Sequence, residues 1–203
     1  MSDKKDPLET LAAAHEESYH RRRDEALIEK LRLEMERQKT ADAIKEQTSV
    51  ADEELLQRLA EFGITQETVP VLHLLPLLDV AWADGEIQDN ERTLLLDAAE
   101  ATGVVSGPAR ERFEAYLSTP PPRDLVTAAT DFIAQLLHVL PEGERDAIKG
   151  NLVEYSWRVA DACGGVFGLW GRVEEEEKSA LERIAKRLAD GHEDAADALL
   201  KRL

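Results

Sequence analysis

From Asp6 to Gln47 the chain has no glycine, and no proline after Pro7, and it is dense in Glu, Lys, Arg, Ala and Leu. A stretch of that kind predicts one long helix, broken at most once. Its residue types lose little side-chain freedom in a helix, and nothing in it interrupts the hydrogen-bond ladder. The apolar residues fall in two short stripes, Leu8, Leu11, His15 and Tyr19, then Leu27, Ile28, Leu31 and Met35, with Arg21, Arg22, Arg23 and Asp24 between them. Stepping by seven from Leu8 reaches His15, Arg22 and Glu29, so a continuous coiled-coil seam is absent. Two readings follow. The helix is a solvated rod that packs only at its stripes, or it is an arm that docks to a partner or to a second copy, with Tyr19, Leu27 and Leu31 as contact residues.

Thr48 and Ser49 are poor helix formers and precede a new amphipathic run, Glu54 to Ala60, that stops at Gly63. This divides the chain into a charged helical arm, 1–49, and a helical domain, 50–203. Within the domain, helices are expected at about 66–82, 89–102, 108–117, 123–140, 142–162, 175–189 and 193–202. Between them lie Gly103, Gly107, the run Pro120 to Pro122, Pro141, the glycine-rich stretch 164–171, and Gly191. Pro76 falls inside the first of these helices and is expected to kink it. No alternating segment competes, so the fold class is all-α.

Lys and Arg number 25 against 42 Asp and Glu, a net charge of −17. Such a field repels phosphate backbones and anionic lipid, and it attracts cations or a basic protein surface; nucleic acid is not an expected partner. The arm is nearly balanced, with 10 basic against 12 acidic residues in the first 49, so almost all of the excess belongs to the domain. The single cysteine, Cys163, has no intramolecular partner, and no apolar signal-like stretch follows Met1. A cytoplasmic protein is the expectation. The most apolar region, Val69 to Ala83, is interrupted by His73, Pro76 and Asp79 and is too short to span a bilayer, so it reads as a buried core helix.

Two parts of the domain are alike. The stretch 79–92 lies over 165–178 without a gap, matching Gly85 to Gly171, Ile87 to Val173, Glu91 to Glu177 and Arg92 to Lys178. Each reads as helix, glycine turn, β-branched plug, helix. Two pseudo-symmetric hairpins, each covering the apolar face of the other, explain the likeness; convergent helix capping is the alternative.

The run Ala81-Trp82-Ala83-Asp84-Gly85-Glu86-Ile87 followed by Glu91, together with Gly164-Gly165-Val166-Phe167-Gly168 and a later glutamate-led helix, resembles the tellurite-resistance TerB-like family. The resemblance covers about 52–203. The stretch 16–22, continuing through 27–32, is similar to a leader found on some bacterial members. What the resemblance implies is an all-helical bundle and divalent-cation binding by its aspartates, with no known reaction.

Asp79, Asp84, Glu86, Asp89 and Glu91 place five carboxylates around one turn, which is the densest candidate site. Ca2+ and Mg2+ take several oxygen ligands, and a glycine turn lets them converge. The loop is not an EF-hand: setting Asp84 and Glu91 at positions five and twelve puts Val80 and Trp82 where ligands belong. The competing reading is capping, with Gln88 as N-cap and Asp89 and Glu91 in the first helical turn, where exposed amides favour carboxylates. His15 and His20 lie about 140° apart around a helix and do not form a zinc pair. Phe167 and Trp170 are read as rings pressed between the hairpins or, alternatively, as partner contacts. Five scattered histidines argue against a metal-dependent hydrolase. The expected function is a non-catalytic binding or adaptor module, with or without a cation.

Overall fold

Glycine and proline set the element boundaries. The computed structural model describes residues 7–163, 175–189 and 192–201, and every regular element within them is a helix. In chain order these are α1 (Pro7–Thr48), α2 (Glu53–Glu61), a 3-10 helix (Val69–Leu74), α3 (Leu75–Ala81), α4 (Asp89–Ala101) and α5 (Gly107–Tyr116). There follow α6 (Arg123–Val139), α7 (Glu142–Cys163), α8 (Glu175–Leu188) and α9 (Glu193–Leu200). Among the described residues no helix is long and apolar enough to cross a membrane.

The chain divides into two units, Met1–Lys39 and Thr40–Leu203. In the first, α1 exposes Leu27, Ile28, Leu31 and Met35, each at least half accessible to solvent. Leu27, Leu31 and Met35 are spaced i, i+4, i+8, and with Ile28 they span about 100° of the helix surface. The second unit starts at Thr40 rather than after Ser49, because Ala41 and Ile44 are buried in its core and the Ala43 carbonyl accepts from Gln66 Nε2 at 2.9 Å. The helix itself stops where the linker composition places its end: Ser49 has φ 62°, a left-handed conformation, and its N–H donates to the Lys45 carbonyl at 2.8 Å.

Asp52 then starts α2, its Oδ1 accepting the Leu55 N–H at 3.0 Å, and Leu55, Leu56 and Leu59 turn inward. At the other end, Gly63 takes φ 72°, and Arg112 of α5 donates to the carbonyls of Phe62 and Gly63. A guanidinium thereby satisfies acceptors that a helix terminus leaves open.

The expected kinked helix over 66–82 is instead two elements. Pro70 and Pro76 each occupy a first-turn position, where their missing N–H costs nothing, so a 3-10 helix ends at Leu74 and α3 begins anew at Leu75. The burial expected of this region is present. Every residue of α3 except Asp79 is buried, and the helix packs against α6, α7 and α8. A helix apolar all round has no solvent face, and α3 is accordingly the centre of the unit. Phe113 of α5, Phe132 of α6 and Leu95 of α4 complete the core, each such side chain contributing about 1.5–3 kcal/mol by leaving water.

Candidate functional site

The acidic turn hangs from the C-terminal end of α3. Trp82 ends the helix and anchors it, its Nε1 donating to the Tyr116 carbonyl of α5 at 2.9 Å. The chain then reverses through Gly85, whose φ of 100° suits only glycine, and whose N–H donates to the Trp82 carbonyl at 3.1 Å. Asp84 Oδ1 accepts the Glu86 N–H at 3.1 Å, so this carboxylate braces its own turn. Gln88 is the N-cap of α4, and Glu91, fully buried, reaches back to accept the Gln88 N–H at 2.6 Å. The pair forms a capping box.

The five carboxylates therefore have different surroundings. Asp79 is paired with Arg183 of α8 at 2.8 Å, with 17% of its side chain exposed. Asp84, Glu86 and Asp89 face solvent, whereas Glu91 points into the core. Among the described residues no three His, Cys, Asp or Glu side chains come together as a metal site requires. Of the expected contact residues, Leu27 and Leu31 are exposed on α1. Phe167 and Trp170 lie outside the described residues, as does the side chain of Tyr19. In the second of the two similar stretches, Glu177 is the third residue of α8, as Glu91 is of α4, and both are fully buried.

Next to Asp79 lies a feature that the linear sequence does not display. Arg123 on α6 and Arg183, Lys186 and Arg187 on α8 line a groove of about 560 Å³ with Asp79 and Asp131. Arg187 pairs with Asp131 at 2.5 Å and Arg183 with Asp79, leaving the described residues of the groove a local excess of two positive charges in a strongly acidic chain. The spacing 183, 186, 187 on one helix face was the available signal, and Arg123 is too distant in sequence for it to show. No protein-family model matches the chain, and neither a curated protein nor a solved structure does so.

Proposed function

We propose that the protein is a non-catalytic, cytoplasmic adaptor of the TerB-like kind, which docks to a protein partner through α1 while its acidic helical unit meets basic surface. The observation that carries this reading is the stripe Leu27, Ile28, Leu31 and Met35, four large apolar side chains exposed together. Anchors at i, i+4 and i+8 are the pattern with which an amphipathic helix enters an apolar groove. The stripe spans little more than two turns, which is short for a coiled-coil pair, so a groove on another protein is favoured over a second copy. Lys30 and Glu34, paired at 3.7 Å, flank the stripe and supply a polar rim.

The acidic turn supports this metal-free form of the reading. Asp79 already has a cationic partner and Asp84 braces its own loop, so both would have to surrender bonds to a cation. The test is photo-crosslinking in cells from a reactive residue placed at Met35. One discrete heterologous product, lost in Leu27→Ser/Leu31→Ser, supports the adaptor; a product containing only this chain overturns the heterologous partner. A thermal melt in millimolar Ca2+ or Mg2+ against NaCl at matched ionic strength checks the metal. A divalent-specific rise that vanishes in Asp84→Asn would return the loop to cation binding.

A further inference from the structure

His73 is the one polar side chain of the 3-10 helix, whose Val69, Val71, Leu72 and Leu74 are all buried. Its imidazole makes no hydrogen bond or ion pair with the described residues. Burial holds it neutral by pushing its pKa down from the ordinary histidine value. The ring opens onto a cavity of about 250 Å³ walled by Leu77 of α3, Ile133 of α6, and Ile148 and Leu152 of α7, with Asn151 and Tyr155 beside them. Among the described residues no lysine, arginine or carboxylate lines it. The Thr102 hydroxyl at its edge already donates within α4, to the Ala98 and Ala99 carbonyls.

His73 is part-buried at this wall, where a leucine or phenylalanine would complete the apolar surface and an imidazole instead offers a donor and an acceptor that no described side chain uses. An apolar cavity with very few polar groups converging on it is the form of a small-molecule site. Its size narrows the ligand. An enclosed apolar cavity of about 150 Å³ accepts benzene, so this one has room for a second ring. Its chemistry narrows the ligand further, because a neutral imidazole presents one donor and one acceptor, and a hydroxyl can use either. A carboxylate would lose its hydration against these walls with no cation to meet it.

We propose that this cavity binds a small, uncharged, two-ring-sized apolar molecule through one hydroxyl group that hydrogen-bonds His73. The full chain is titrated with 2-naphthol, naphthalene and 2-naphthoate, read by probe fluorescence and by the Cε1–H resonances of the histidines. The expected result is saturable binding of one 2-naphthol per chain, about tenfold tighter than naphthalene or naphthoate, with the His73 resonance moving in step. His73→Phe should weaken 2-naphthol by about tenfold and leave naphthalene unchanged. Leu152→Trp, which fills the cavity, should abolish both. If His73→Phe fails to fold, the wild-type resonance decides. No saturation, saturation without movement of His73, or naphthoate binding as tight as naphthol each overturns the proposal.

Discussion

Replacing Glu91 by alanine removes the acceptor of the Gln88 N–H from a position that water does not reach. A hydrogen bond to a charged acceptor contributes about 1.5–3 kcal/mol, and the two buried methylenes of the side chain add roughly 0.8 kcal/mol each. Against this, the variant no longer desolvates a carboxylate, so the net loss should be about 3 kcal/mol rather than the full sum. For a unit of this size that lowers the melting midpoint by about 6–12 °C. Glu91→Gln keeps the shape and one acceptor oxygen while losing the charge at the start of α4, and should cost about 1 kcal/mol. Urea unfolding followed by circular dichroism measures both. Glu177→Ala, at the same place in α8 and equally buried, provides a matched comparison and should fall within about 1 kcal/mol of Glu91→Ala. A loss below about 0.5 kcal/mol at Glu91 would refute the reasoning, since it would mean that the capping box contributes no more than an exposed residue.

Asp52→Ala should cost about 1–2 kcal/mol by urea unfolding, because Oδ1 caps α2 and Oδ2 accepts from Gln135 of α6 at 2.7 Å. The Leu55 N–H bond, foremost, holds the Asp52 carboxyl below its ordinary pKa, so its contribution is present above the unfolded value and lost as pH falls through the lowered folded one. His73 behaves with the same sign in a higher pH window: with its folded pKa depressed, stability is complete above about pH 6.5 and declines as pH falls toward the folded value, by up to about 1.36 kcal/mol per pH unit. His192, also depressed by burial, adds to the same slope, and His73→Leu should flatten the fall in stability below about pH 6.5; an unchanged slope counts against a neutral ring in the folded state. Arg112→Leu removes the donors to the Phe62 and Gly63 carbonyls and should cost about 2 kcal/mol, detectable as a drop in the urea midpoint at constant slope.

The helix ends were legible because glycine and proline act locally. Gly63 and Gly103 take positive φ where the sequence places a stop, and Gly107 does so where α5 begins. Two features of the fold were not legible. Pro70 and Pro76 are six residues apart, and whether they kink one helix or begin two depends on neighbours that no window includes. Ala41 and Ile44 sit in a charged stretch with only a single i, i+3 step, too brief to announce that the end of the arm belongs to the core. At the acidic turn, composition displayed five carboxylates but not their partners. The Gln88–Glu91 box was readable because its members are three apart, whereas the Asp79–Arg183 pair joins residues 104 positions apart. His73 was visible only as an interruption of an apolar run, since a cavity is made by side chains from several helices at once.

The burial of α3 has a consequence for how the protein comes to be folded. Its seven residues are far too few to hold a helix in water alone, and the surfaces that shelter it, on α6, α7 and α8, are synthesised only later. An emerging chain that has passed α3 but not α8 therefore exposes Leu75, Leu77, Leu78 and Val80, and it cannot complete its centre piece by piece from the N-terminus. Closure waits for contacts separated by up to about a hundred residues, which makes the second unit fold as a whole and late, slower than the short-range connections of a helical protein would suggest.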